Sequence, residues 1–159
     1  MHRPGRSTRH SATLLPFDVY IESGEFAVRK ALRKVLDGLE PLGLDLEEAS
    51  TVELVLAEAL NNINEHAYPD PQAAGLIHIH CLHSADGLHI RINDEGYAMP
   101  DGQAPLGMAQ NLDVPDSELP EGGFGWFLIR DLAKDVCYHR VGKQNQLDLR
   151  LAVAIPAPA

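Results

Sequence analysis

Glu58, Asn62 and His66 follow one another at four-residue intervals in the stretch VELVLAEALNNINEHAYPD, residues 52 to 70. On a helix that spacing stacks side chains along one edge. Val52, Val55, Leu56, Ala59, Leu60 and Ile63 recur there at three- and four-residue intervals, the helical period. A helix this apolar is expected to be largely buried, and a carboxylate and an amide on it need polar partners. Two further groups accompany this edge. Asp94-Glu95-Gly96 ends an apolar run, and Gly122-Gly123-Phe124-Gly125 opens another. Singly each is ordinary: helices have polar stripes, and glycines and Asp-x-Gly mark turns. Their order and spacing, with a long glycine- and proline-rich segment between the second and third, is far more specific.

Together these residue types suit a nucleotide. A helix beginning near Phe124 presents free N–H groups and a positive dipole end to phosphate. Gly123 and Gly125, on either side of Phe124, let the backbone approach without a Cβ. Ionised Asp94 only accepts hydrogen bonds, which matches the exocyclic amino group of adenine, and Gly96 is expected to leave room for the base. Asn62 offers a neutral oxygen to a Mg²⁺ ion that bridges phosphates. Glu58, one turn earlier, is placed to take a proton from an attacking hydroxyl. No GxxxxGK[ST] stretch exists, so a P-loop is excluded.

The elements that must hold these residues can be read in order. Leu14 to Ile21 alternates and predicts a strand. Residues 25 to 39 predict a helix, with Ser23 as its cap and Arg29, Lys30, Arg33 and Lys34 on its polar face. That basic face is either plainly solvated or a contact surface for an acidic partner. Asp45 or Ser50 starts the central helix, which Tyr68-Pro69-Asp70-Pro71 stops. Leu76 to Leu82 and Leu88 to Asn93 form a hairpin about Asp86-Gly87. Residues 95 to 122 show no period and carry Asp101, Asp113, Asp116, Glu118 and Glu121 but no Lys or Arg. A structureless segment of that length is usually functional. Trp126 to Ala133 is helical, and Val136 to Val141 with Gln146 to Ile155 closes the chain as a hairpin turned at residues 142 to 145. The expected fold is an α/β two-layer sandwich: a mixed sheet of about five strands, helices on one face and water on the other.

The chain of 159 residues suits one domain, expected over residues 14 to 155 between short tails at 1 to 13 and 156 to 159. It has 13 basic and 23 acidic side chains, a formal charge of -10, and three of the bases are Arg3, Arg6 and Arg9 in the N-terminal tail. Such a surface repels nucleic acid and anionic membrane. No run approaches the roughly 18 apolar residues of a membrane span. Cys81 and Cys137 form no metal spacing and are expected to be reduced thiols, so a cytoplasmic location is expected. His78 and His80 share a strand face while His83 opposes them, which gives two ligands where a zinc site wants three or four.

The three groups also resemble a known family. EALNNINEHAYP is similar to the N-box of the Bergerat ATP-binding fold shared by gyrase and histidine kinases, INDEG to its first glycine box and GGFGWFLIRDLAKDV to its second. The resemblance runs from about residue 14 to 154 and is strongest to anti-sigma-factor serine/threonine kinases of RsbW type. It implies Glu58 as general base, Asn62 as ligand of the Mg²⁺ on ATP, Asp94 and Gly96 as the adenine site, and Gly123 and Gly125 facing phosphate. Residues 97 to 122 become an ATP lid. The implied partners are a sigma factor and a small anti-anti-sigma protein of STAS type phosphorylated on serine or threonine, with a homodimer among the assemblies implied. Two positions depart from the family: its glycine-threonine before the last strand is Asn145-Gln146 here, so no nucleotide contact is assigned there, and Glu121 stands where the lid is expected to be basic. The departures support an alternative, a nucleotide-gated partner-binding module without kinase turnover. A detached histidine-kinase catalytic domain fits less well, for no phosphoacceptor helix pair is evident.

Overall fold

The computed structural model describes residues 14–99 and 123–156. The expected tail at 1 to 13, most of the expected lid (100 to 122) and residues 157 to 159 lie outside them. Five strands form one sheet in the order β1-β2-β3-β5-β4, from β1 (Phe17–Glu22), β2 (Leu76–Ser84), β3 (Gly87–Asp94), β4 (Asp135–Val141) and β5 (Gln144–Leu151). Three helices accompany it: α1 (Ala27–Gly38), α2 (Leu46–Asn62) and α3 (Gly123–Leu132).

The sheet differs from the expected mixed one, because all four pairings are antiparallel. Two helices separate β1 from β2, so the chain returns in the opposite sense beside its start. Among the described residues one helix, α3, lies between β3 and β4 in the chain, and those two strands run parallel to each other. The closing hairpin then inserts β5 between them, and no parallel neighbours remain.

The alternation written in the strands decides the layers. Val19 and Ile21, Ile77, Ile79 and Cys81, Ile90 and Ile92, and Leu147, Leu149 and Leu151 are buried against Ala31 and Val35 of α1, Val55, Leu56 and Leu60 of α2, and Ile129 of α3. Asp18, Tyr20, His78, His80, His89 and Arg91 point away from that core, to the face that none of the described helices covers. No helix among the described residues is long and apolar enough to cross a membrane, and no group of three or more metal-binding side chains is present there.

Asp45, not Ser50, caps α2. Its carboxylate accepts from the Glu48 N–H at 2.8 Å while the Glu48 carboxylate accepts from the Asp45 N–H at 3.1 Å, a reciprocal capping box. Ser23 does not cap α1 as expected. Its Oγ accepts from the Gly75 N–H at 2.8 Å, so the hydroxyl joins the entry of β2 to the exit of β1 and α1 begins from the Gly24 carbonyl instead.

Candidate functional site

The polar edge of α2 is present, and its end is unusual. The helix passes at Asn62 into a π-turn, Ile63–Ala67, closed by the Tyr68 N–H on the Ile63 carbonyl at 3.1 Å. Single π-turns of this kind gather at functional sites. The turn carries one extra residue, so half-exposed His66 leaves the four-residue register that Glu58 and Asn62 share, and it stands 4.0 Å from Glu65. Asn62 is buried, at 3% exposure, and its amide nitrogen donates to the Glu58 backbone carbonyl at 2.8 Å. That bond fixes the side chain by its nitrogen and leaves the oxygen, the atom suited to a magnesium ion, with no hydrogen bond among the described residues. The partly buried Glu58 carboxylate likewise has no hydrogen bond among them.

The end of β3 is fastened to the end of this helix. The Tyr97 N–H donates to the Ala67 carbonyl at 2.9 Å, and the Tyr68 hydroxyl accepts from the Glu95 N–H at 2.8 Å while donating to the Leu76 carbonyl at 3.0 Å. Partial burial pushes the Tyr68 phenol above its ordinary value, so it stays a hydroxyl able to do both. Gly96 has a structural reason besides the one expected. A Cβ there meets the Ala67 carbonyl oxygen at 2.3 Å, so this glycine lets two backbone segments touch. A cavity of about 470 Å³ opens at this corner, lined in part by Ala67, Gly96, Tyr97, Arg140 and Lys143.

Asp94 lies beside that contact, 4% exposed. Its Oδ1 accepts from the Gly96 N–H at 2.9 Å and from the Asn145 side-chain nitrogen at 2.7 Å. Burial raises the carboxyl above the usual carboxylate range, and the Asn145 and Gly96 hydrogen bonds and the nearby Arg140 charge oppose that rise. Perturbation of this kind, with specific partners at a crevice, is what binding sites commonly show.

The third group, Gly123, Phe124 and Gly125, forms the first turn of α3. That helix packs on α2, with Ile129 fully buried between the layers. Thus α2 receives the Asp94 corner through the π-turn that follows it, and α3 packs against the same helix. The three groups are held by one helix.

Asn145 is expected in the closing turn with no nucleotide contact, and nothing in the sequence pattern singles out Tyr138 or Arg140. Asn145 is the register partner of Asp94 across β3 and β5. Its Nδ2 reaches Asp94 and the Tyr97 carbonyl at 2.9 Å, and its Oδ1 accepts from the Tyr138 hydroxyl and from Arg140 at 2.9 Å. The signal existed but was misplaced. The closing hairpin turns at Gly142 (φ 60) and Lys143, two residues narrower than expected, so Asn145 is a strand residue and not part of the turn.

A sheet covered on one face by helices, with an asparagine-bearing helix, a buried strand-end aspartate and a glycine-led helix packed on the first, is an α/β sandwich with the parts a nucleotide site needs. The model of the histidine kinase-like ATPase domain matches residues 23–151, and the chain belongs to that family. Among curated relatives, the serine-protein kinase RsbW of Staphylococcus aureus strain bovine RF122 / ET3-1 is 28% identical over 115 residues, 69% of this chain and 70% of the relative. The RsbW of strain MRSA252 matches to the same extent. Of solved structures, the RsbU and RsbW domains of Rv1364c from Mycobacterium tuberculosis superpose with a TM-score of 0.61 at 15% identity, over 91% of this chain but 34% of that one. The SiaB-SiaC complex from Pseudomonas aeruginosa gives a TM-score of 0.55 at 15% identity, over 91% of this chain and 93% of the matched chain. Both structures share the fold.

Proposed function

We propose that this protein is an ATP-dependent protein serine/threonine kinase of the partner-switching kind. It phosphorylates a small STAS-type anti-anti-sigma protein and sequesters a sigma factor. The observation that carries the reading is the Glu58–Asn62 arrangement: the amide nitrogen of Asn62 is tied to the carbonyl of Glu58, and the amide oxygen and the Glu58 carboxylate one turn away have no hydrogen bond among the described residues. The relatives named RsbW, and the membership of a histidine kinase-like ATPase family, support it.

In this reading adenine lies against Asp94 near Gly96, and the phosphates approach the first turn of α3 at Gly123, Phe124 and Gly125, where helix N–H groups lack partners of their own. The Asn62 oxygen fits a Mg²⁺ ion held jointly with the phosphates, and such an ion supplies charge neutralisation on them. Glu58 orients the partner's serine or threonine hydroxyl. As the hydroxyl oxygen bonds to the γ-phosphorus, the bond from that phosphorus to the bridging oxygen breaks and ADP departs with the electron pair. The hydroxyl proton passes to Glu58.

Glu58→Gln keeps the shape and removes the base. Transfer of labelled phosphate from ATP to the partner is expected to fall by about 10²- to 10⁴-fold, with ATP affinity changed only a few-fold. Wild type and variant equally unable to label the partner would exclude the kinase. The absence of Lys and Arg from residues 97 to 122 favours a second reading, in which nucleotide occupancy sets partner affinity without turnover. There Asn62→Ala abolishes the effect of ATP on partner binding and Glu58→Gln leaves it intact.

A further inference from the structure

Asn145 has every hydrogen-bonding position occupied. Its two amide hydrogens go to Asp94 Oδ1 at 2.7 Å and to the Tyr97 carbonyl at 2.9 Å, with the Gly96 carbonyl at 3.3 Å sharing the load. Its oxygen takes the Tyr138 hydroxyl and the Arg140 guanidinium. Three acceptors on one side and an obligate donor on the other leave a single orientation for the amide. Tyr138 is held in turn by the Met99 N–H at 2.9 Å, and Arg140 by the Gly96 carbonyl at 2.7 Å. The whole group is built around one end of one carboxylate.

We propose that Asn145 is the positioning residue that makes this crevice select a 6-amino purine over a 6-oxo purine, by pinning one oxygen of Asp94 and leaving the other as an acceptor for the base. The inference rests on the nucleotide reading above and deepens it. Asp94 Oδ1 is engaged by Asn145 and Gly96, while no described residue bonds Oδ2. An ionised Oδ2 accepts from the amino group of adenine and repels the carbonyl oxygen of hypoxanthine or guanine. A protonated Asp94 inverts that choice, because its O–H donates to a 6-oxo group. Burial pulls Asp94 toward that protonated form, and the two N–H donors on Oδ1 pull it back. Asn145 provides one of them from a side chain, so a point substitution can change it.

The test is calorimetry on the full chain with Mg-ATP and Mg-ITP, which share ribose and triphosphate and differ in the ring at the 6-position. Wild type is expected to bind ATP on the order of a hundredfold more tightly than ITP. Asn145→Asp faces Asp94 with a second carboxylate at the same place. Two acids so close share a proton, and the ATP-to-ITP ratio is expected to collapse to within about threefold. Tyr138→Phe leaves Asn145 in place and removes one donor to its oxygen. It guards against a misfolded first variant and is expected to lower the ratio about threefold. A merely structural Asn145 weakens both nucleotides alike and leaves the ratio unmoved.

An unchanged ratio in folded Asn145→Asp, or in Tyr138→Phe if the first does not fold, overturns the proposal. Equal affinities of the wild type for ATP and ITP overturn it while the nucleotide reading stands. Failure of the wild type to bind either nucleotide overturns both.

Discussion

Asp18 and Asp94 both sit on strands and both accept two hydrogen bonds on a single carboxylate oxygen, yet their acidities move in opposite directions. Asp18 is on the open face of the sheet. Its Oδ1 accepts from His78 Nε2 at 2.7 Å and His80 Nδ1 at 2.8 Å, and these bonds hold its carboxyl below the usual range. The His78 ring also stacks on Tyr20 with centroids 4.5 Å apart, so the group is ordered as well as wet. Asp94 is on the covered face with bonds as short, and burial pushes its carboxyl up regardless. The count of hydrogen bonds is the same. The difference is water: where it is present the bonds decide, and where it is excluded the cost of holding a charge exceeds what two donors return. Among the described residues Asp94 is the one buried acidic or basic side chain, the kind of perturbed group that gathers at functional sites.

The sharpest way to break the comparison is Asp94→Asn, which removes the buried charge and keeps the shape. Its amide oxygen can take the bonds from Gly96 and Asn145, which turns a donor toward the crevice in place of an acceptor. ATP affinity is expected to fall by about a hundredfold or more, with ITP losing far less, by the same calorimetry. Stability moves the other way. Because the folded protein holds a proton on Asp94 more readily than the unfolded chain does, ionisation of Asp94 costs stability as pH rises through its raised value. The variant is therefore expected to melt above the wild type at neutral pH, with the gap closing as pH falls into the carboxylate range. A lower melting temperature at neutral pH contradicts the assignment of Asp94 as a strained, functional charge.

A smaller effect tests what keeps Asp94 buried. Gly96→Ala drives a methyl into the Ala67 carbonyl, which is backbone and has little freedom to move. The strand end must lift from the π-turn, at a cost of about 1–3 kcal/mol in denaturant unfolding. Lifting wets Asp94, so ATP affinity falls with it. Unchanged stability would show that the corner is looser than its contacts imply.

Much of this arrangement was legible because it is written in short-range pattern. The three- and four-residue spacing of α2 placed Glu58 and Asn62 on one edge, and strict alternation in β2 put His78 and His80 on the wet face. What escaped depends on register between distant segments. Asn145 meets Asp94 only because β5 inserts beside β3, and a turn read two residues too wide moved it off the strand. The π-turn escaped too, since INEHA has nothing in its periodicity that separates an i→i+5 hydrogen bond from an i→i+4 one. The Gly96 contact with Ala67 escaped as well: an Asp-x-Gly shows that backbone must come close, not which backbone. The antiparallel sheet had the same cause, as local pattern fixes strands but not their neighbours.

The smallest expected effect is on the open face. Asp18→Asn removes the acceptor shared by His78 and His80 without opening a cavity, and the side chain is 43% exposed. Exposed pairs of this kind contribute little to stability. The sign remains informative. A carboxyl whose folded value is depressed stabilises the fold above its unfolded value, and that contribution is lost as pH falls through the folded one. Wild type should therefore melt slightly above Asp18→Asn at neutral pH, and the two curves should meet on acidification below the ordinary aspartate range. For Asp94→Asn the wild type starts below the variant and rises to meet it. Two aspartate-to-asparagine changes in one sheet are thus expected to approach the wild-type melting curve from opposite sides in one acid titration. Nucleotide affinity should follow only the Asp94 substitution, because charge on the open face is screened by the water that makes it cheap.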